Sequence, residues 1–489
     1  MKNSVSGFWQ RLNAQFPGSS RAMATAILWL QRATKTVLTI LVTGTVLLLL
    51  VNAGDEDPDP GLRDYLSIDP PAVGVNGNAF FTFMGIDAPA DTAPSEWGYL
   101  KMAQDRNKVR SGRLYEETQA AKAMEMWDQG LKHPDIRPIA CQKKGDCLSF
   151  FKANRKTIET ALRTNQLQLQ RFRAAYDQPL FLEATYPDMR AAVGNYAGAY
   201  QLLEYARIGI SINDGRVDVA LDLLEQNTGL WRRVMSQSTS LIGRMVSTRF
   251  VQNNYLLLGE MLRTQSFNRK QYRQAQRILR PLPPTTWDWR EVYRQEFVLV
   301  YHSFEEAIRR GRSLSFHEEA RSTYVGPLIS WFEYRLFREQ QTKNHWFAQA
   351  RQLDQASVLV GEALHQRLVS AYDSELPSWG VGIVRNPVGK QLTDAGEIRL
   401  ASHLHYKARA YNVELWRRLV SQQLALKTRD VRPNAVARSL SKELSNPVTG
   451  ELPKWEPARK TLVFTGFTVE TDRIEGGKDL LMESIEIRI

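Results

Sequence analysis

A chain of 489 residues, 43% hydrophobic and 24% charged, has ordinary globular composition and room for two or three domains around a large core. Sixty-four Lys and Arg against 52 Asp and Glu give a formal charge of +12. Five of the cations (Lys2, Arg11, Arg21, Arg32 and Lys35) precede residue 55 with no acid among them, which leaves +7 for the rest; there the two signs alternate and no nucleic-acid-binding signature appears, so the balance argues against a nucleic-acid partner.

The strongest signal comes first along the chain. Thr36–Ala53 carries no charge, and at 1.5 Å per residue it nearly crosses a hydrocarbon core of about 30 Å. Its threonines, Thr36, Thr39, Thr43 and Thr45, can return their hydroxyls to the preceding turn. Every charge before the span is positive, and Asp55, Glu56, Asp57 and Asp59 follow it. Positive flanks stay in the cytoplasm, so the expected topology is a basic cytoplasmic tail over 1–35, a bilayer-spanning helix over 36–53, and the remaining mass in the periplasm of an inner-membrane protein. Two other readings stay open: cleavage as a signal peptide at Val51-Asn52-Ala53, and a buried core helix. Ala22–Leu30 is too short to span and is expected to lie along the inner face.

Residues 54–78, rich in Pro, Gly and Asp, read as a linker. Phe80, Phe81, Phe83 and Trp97 then begin a helical domain over 79–375 with irregular packing. Cys141 and Cys147 are the only cysteines. The turn-forming Lys144-Gly145-Asp146 between them predicts a small disulfide loop, suited to an oxidising compartment; free thiols and a redox or metal site are the alternatives. Phe151, Ile158, Leu162, Leu169, Phe172 and Tyr176 share one helix face. Over 194–264, Leu202, Leu203 and Ala206, the turn Asn213-Asp214-Gly215, and then Val219, Ala220, Leu223 and Leu224 predict paired helices. Trp231, Val234, Leu241, Ile242, Met245 and Val246 predict the next apolar face. This reads as irregular αα stacking, solenoid-like and without a strict repeat. Pro281-Leu282-Pro283-Pro284 breaks the run. Helices resume over Trp287–Ile308 and Trp331–Leu368. The last part, 376–489, opens on a Pro/Gly connection, returns to helix over His405–Ala425, and ends in strands at Thr461–Thr465 and Met482–Ile489. The fold class is thus mainly α, with a small C-terminal β-sheet.

Asn386-Pro387-Val388-Gly389-Lys390, the helix Tyr406–Leu426, and Asn446-Pro447-Val448-Thr449-Gly450 followed by Lys454-Trp455 together resemble a group of single-span proteobacterial envelope proteins. The cysteine pair and the stretch from Leu223 to Val246 resemble them too. The resemblance implies fold and location, and no activity.

Candidate chemistry is thin. Glu362 and His365 make a single ExxH, half of what a di-iron bundle needs. His403 and His405 fall on different sides of a helix. His302 with Glu305 and Glu306, and His317 with Glu318 and Glu319, read as solvated faces. No GxSxG, HExxH or P-loop is present, so the sequence points to no catalytic set, metal or cofactor. Asn446, Pro447, Thr449 and Gly450 form a candidate binding loop through exposed backbone N–H groups, or else a tight turn into the sheet. Trp287, Trp289, Trp331, Phe332 and Trp346 would line a groove or fill a core. The expectation is a membrane-anchored interaction protein whose partners are the bilayer, through 36–53, and another envelope protein or peptide. An envelope hydrolase using sequence-distant carboxylates is the alternative. A third reading binds anionic polymers through Arg232-Arg233 and Arg417-Arg418.

Overall fold

The structure is a computed structural model and describes residues 19–67, 75–110, 141, 146–183, 193–309, 331, 334–374, 384–390, 400–467 and 482–489. Lys144, Gly145, His317, Glu318, Glu319 and Phe332 lie outside these. The chain divides into two compact units: Met1–Asp59, Gly311–His345 and Pro377–Ala395 form the first, and Pro60–Arg310, Trp346–Leu376 and Gly396–Ile489 the second.

The first unit is dominated by α1, Ser19–Val51. It runs unbroken through Ala22–Leu30, which was expected to be separate. No Gly or Pro lies between Ser20 and Thr43, and Gln31-Arg32-Ala33 are strong helix formers, so nothing interrupts the backbone ladder. Within it, the 27 residues Thr25–Val51 are long and apolar enough to cross a membrane, and the apolar stretch is not buried against the rest of the chain. That uncovered surface is the opposite of a core helix, whose apolar face must be packed. Thr39 donates its hydroxyl to the Lys35 carbonyl at 2.9 Å, the back-bonding expected of threonine in an apolar helix.

The second unit is mostly helical. Phe80, Phe81 and Phe83 dock as expected, in a short helix α2, Ala79–Met84, capped by the Asn78 side chain. Phe83 stacks between Phe172 and Trp231, with ring centres 5.6 Å away on each side. The following helix α3, Pro94–Arg110, crosses α2 so closely that a Cβ on Gly85 would lie 1.8 Å from the Pro94 carbonyl oxygen. The apolar face predicted over 151–176 belongs to three short helices, α4 (Cys147–Ala153), α5 (Arg155–Thr164) and α6 (Gln166–Ala174). Asn154 and Asn165 part them. Each turns its amide back onto the carbonyl four residues earlier, which competes with the ladder.

Three long helices follow, α7 (Val193–Asn213), α8 (Val217–Gln237) and α9 (Leu241–Thr264), joined by three-residue turns and packed on one another as hairpins. Gly215, at φ 72°, closes the first turn where Asn213-Asp214-Gly215 predicted it. Their shared core is partly polar. Gln201, Asn227 and Asn254 are buried and linked to each other, to the Trp231 indole N–H and to the Tyr176 hydroxyl by bonds of 2.6–3.0 Å. The predicted face of α9 is turned: Ile242 is 54% exposed, while Arg244, Ser247 and Thr248 point inward.

After α10 (Arg269–Ile278), the proline break forms a 3₁₀ turn at Pro284–Trp287 and leads to α11 (Arg290–Arg309). Helices α12 (Glu339–Ala356) and α13 (Gly361–Ser374) precede the 29-residue α14, Leu400–Thr428. Strands β1 (Lys454–Glu456), β2 (Thr461–Phe467) and β3 (Met482–Arg488) close the unit as an antiparallel sheet in the order β1-β2-β3. Leu462 faces Trp455 on one side and Ile487 on the other. The buried Leu462, Phe464, Ile485 and Ile487 share one apolar face, Phe467 is buried at the end of β2, and the sheet packs on α14. Asn412 on α14 both donates to and accepts from the Phe467 backbone, at 2.6 and 2.9 Å, which pins the end of β2.

Gly361 starts α13 at φ 57°, where a Cβ would lie 2.5 Å from the Pro447 carbonyl oxygen. Gly361→Ala is therefore expected to cost about 2 kcal/mol, through left-handed backbone strain plus the clash, read as a lower urea midpoint. An unchanged midpoint would mean that the Pro447 loop gives way freely.

Candidate functional site

In the first unit, the end of α1 is fastened by side-chain amides. Asn52 is fully buried, although it follows a run of leucines. Its Nδ2 donates to the carbonyls of Leu48 and Val384, both at 2.8 Å, and its Oδ1 accepts from the Asn386 N–H at 2.6 Å. Asn386 sits at φ 54°, a left-handed conformation that asparagine tolerates better than most residues. Its Oδ1 accepts from the N–H groups of Arg338 and Gly389, and its Nδ2 donates to the Thr342 hydroxyl at 2.9 Å. Gly389 has no room for a side chain, because a Cβ would meet Thr342 Oγ1 at 2.1 Å. The Asn-Pro-Val-Gly motif is thus a clasp. The acids after the apolar helix have a use as well: Asp55 accepts from the N–H groups of Gln340 and Gln341, both at 2.9 Å, at the N-terminus of α12, where the helix dipole favours an anion. Asn344 donates to Glu56 and the Asp57 carbonyl and accepts from the Asp59 N–H. Residues 55–59, in the segment read as a linker, are therefore held to this unit.

In the second unit, buried cations end on backbone carbonyls. Arg244 donates to the carbonyls of Met235, Ser238, Thr286 and Asp288. Burial lowers its guanidinium to about 10, with Glu183 and Asp288 resisting. Arg171 binds the carbonyls of Ile86, Ala88 and Pro89, and Arg232 those of Ile278, Arg280 and Pro281. Lys407, wholly buried on α14, donates to the carbonyls of Ala356 and Ser357 at the C-terminal end of α12, where a helix dipole favours a cation. Burial nevertheless lowers its ammonium from 10.5 to about 7; Asp288 works against that shift and Arg244 adds to it.

Buried carboxylates are spent in the complementary way, at helix N-termini. Glu183 accepts from the N–H groups of Thr239 and Ser240 and from the Ser238, Thr239 and Ser240 hydroxyls at the start of α9. Glu260 accepts from the N–H groups of Cys147 and Leu148 at the start of α4. Desolvation raises the Glu260 pKa, and those two amides hold it back. Glu414 pairs with both Arg417 and Arg418 at 2.7–2.8 Å. These are distant carboxylates brought into the core, and N–H, O–H or guanidinium groups meet each of them.

His405 is the exception. It is 2% exposed, and among the described residues neither ring nitrogen has a hydrogen-bond partner. Burial, reinforced by Arg409, lowers it from 6.5 to about 4, so it is neutral at pH 7. The unfolded chain takes up this proton first, so stability should fall as pH drops from 6.5 towards 4. His405→Leu is expected to gain about 1 kcal/mol at pH 7 and to flatten that acid limb in urea titrations. A loss of stability at pH 7 would show that the imidazole is satisfied.

Cys141 and Cys147 bring their sulfurs to 2.09 Å, bonding distance. Glu362 is exposed and accepts from Gln366, while His365 packs near Phe467. His302 is half exposed beside Glu305, as a solvated pair. Trp289 and Trp346 are core, Trp287 packs on Tyr411, and Trp331 is 46% exposed. Around Asn446-Pro447-Val448-Thr449-Gly450, the N–H groups of Val448 and Thr449 point to Asn446 Oδ1 and that of Gly450 to the Asn446 carbonyl. Asn446 itself donates to the Thr465 carbonyl of β2. The amides expected to face a ligand are thus used within the turn. Arg232 and Arg417 are buried; Arg233 holds the Ala175 and Tyr176 carbonyls and Arg418 that of Ser445. The Arg-rich dipeptides therefore stitch the fold.

One cleft does present cations outward. It lies between α8 and α10, with a volume of about 520 Å³, and Arg273, Arg277 and Arg280 line it above Arg232. Glu225 pairs with Arg277 at 2.8 Å, which leaves the exposed Arg273 and Arg280 as the cleft's excess positive charge. Sequence reading missed this site because its arginines are ordinary exposed residues of a short helix until α10 packs beside α8. No family model, curated protein or solved structure matches the chain.

Proposed function

We propose that this chain is a single-span inner-membrane protein of the bacterial envelope, whose helical body stands in the periplasm and serves as a docking scaffold for another envelope protein or peptide. The observation that carries the reading is the apolar, uncovered part of α1 that follows Lys35: Lys2, Arg11, Arg21, Arg32 and Lys35 precede it, and Asp55, Glu56, Asp57 and Asp59 come after it. The cysteine sulfurs at bonding distance fit an oxidising compartment. The αα-hairpins of α7, α8 and α9 are the kind of stacking that solenoid-like binding surfaces use. The cleft with Arg273 and Arg280 fits an acidic segment of the partner. The buried carboxylates favour a scaffold over a hydrolase, because Glu183 and Glu260 are committed to helix N-termini and Glu414 to two guanidinium groups, and none of the three lines that cleft.

A phosphatase reporter fused after Ile489 tests the topology, and it is expected to be active where a cytosolic fluorescent reporter is dark. Crosslinking from the cleft, followed by capture from solubilised membranes, tests the role. Arg273→Glu with Arg280→Glu is expected to abolish the adducts. Adducts that survive the double charge reversal would remove the cleft from the binding surface.

A further inference from the structure

We propose that Trp331, Tyr334 and Arg335, together with Val384 and Arg385, form a collar that seats the chain on the lipid phosphate layer at the C-terminal end of α1. This rests on reading α1 as a membrane span and adds a second, peripheral contact with the same bilayer.

A chain of contacts within the first unit ties these residues to the end of α1. Asn52 ends the apolar helix and is bonded to the Val384 carbonyl and the Asn386 N–H. The Asn386 side chain accepts from the Arg338 N–H at 2.8 Å. The Arg338 guanidinium in turn holds the Arg335 carbonyl at 2.9 Å, and the Arg335 guanidinium lies 5.6 Å from the Trp331 ring centre. Every link is a direct contact, so Trp331, Arg335, Arg338 and the pair Val384-Arg385 are fastened to the residue at which the apolar helix ends. If α1 crosses the bilayer, that residue lies at headgroup depth.

The exposed side chains there are those an interface selects. Trp331 is 46% exposed, Tyr334 75% and Val384 42%. Large apolar rings left in water on a folded unit are unfavourable, and the headgroup region accepts both their apolar bodies and their polar edges. The exposed charges among them, Arg335 and Arg385, are cations; of the acids of the same unit, Asp55 is engaged on the start of α12, Glu56 on Asn344 and Glu339 on Lys343, while Asp57 is exposed. Guanidinium groups match phosphate in charge and shape. A protein partner would find the same aromatics, but the fastening to the end of α1 places them against lipid. The bilayer is therefore the occupant we assign.

The test uses the full chain in phosphatidylcholine–phosphatidylglycerol nanodiscs, oxidised so that Cys141 and Cys147 stay paired. A bimane label is attached in Y334C or, separately, in L41C within the span. Nitroxide lipids carry the quencher either on the headgroup or deep in the acyl chain. Headgroup nitroxide is expected to remove roughly half of the Y334C emission, more than the deep nitroxide does, with the reverse order at L41C. Adding Arg335→Glu and Arg385→Glu is expected to reduce the Y334C quenching by at least about twofold. Quenching at L41C without quenching at Y334C would overturn the collar and leave the span standing. No quenching at L41C would overturn the span and the collar with it.

Discussion

Arg244→Ala is expected to cost the second unit about 3–5 kcal/mol, because it removes one guanidinium and orphans four carbonyls at once. Those carbonyls belong to Met235 and Ser238 at the end of α8 and to Thr286 and Asp288 beyond the proline break. The side chain is 5% exposed, so water cannot replace it without opening the core. It also lies 6.0 Å from the Trp289 ring centre, and truncation leaves that face unpacked. Arg244→Lys should recover less than half the loss, since an ammonium cannot reach four acceptors spread around a planar fork. Arg249→Ala, at an exposed position of the same helix, should stay within about 0.5 kcal/mol of the parent. The measurement is urea unfolding of the detergent-solubilised chain by circular dichroism. An R244A midpoint no lower than that of R249A would contradict the stapling role.

Lys407 is expected to dominate the pH dependence above neutrality. Its ammonium is lowered from 10.5 to about 7 in the fold. Between those values the unfolded chain holds the proton and the folded chain does not, so the unfolded state binds more protons. Stability should therefore rise with pH across the window, by up to about 1.4 kcal/mol per unit. Below about pH 7 both states are charged and the full cost of burying the ammonium is present. Lys407→Met should flatten the rise while changing stability at pH 7 by less than about 2 kcal/mol. The Ser357 carbonyl keeps the Trp289 N–H at 3.1 Å, and a charge that is costly to bury is gone. A slope between pH 7 and 10 that survives in K407M would assign it to another group.

The apolar pattern made much of this architecture legible. The long apolar helix needed only an uninterrupted run of uncharged residues, with a charge reversal across it. The turn at Asn213-Asp214-Gly215, the break at Pro281–Pro284 and two strands of the final sheet, β2 and β3, were readable because Gly, Pro and period-two alternation act locally; the three-residue β1 is too short to show a period. The cysteine pair was readable from spacing. The polar core was not. Asn227 and Gln201 count as surface residues in any hydrophobic pattern, yet they are buried because each is the other's partner across two helices. Arg244 turned its helix away from the expected face for the same reason: four carbonyls outside α9 outweigh the exposure of Ile242.

From its own residues the chain determined an apolar helix long enough to span a membrane, with signed flanks, a helical body, and a disulfide-capable pair, because each depends on composition or on neighbours a few positions away. Which charges are spent and which are presented was decided only in three dimensions. Asn386 reaches Asn52 across 334 positions and Arg417 reaches Leu279 across 138, so desolvation and hydrogen bonding at these groups depend on partners that no local window contains.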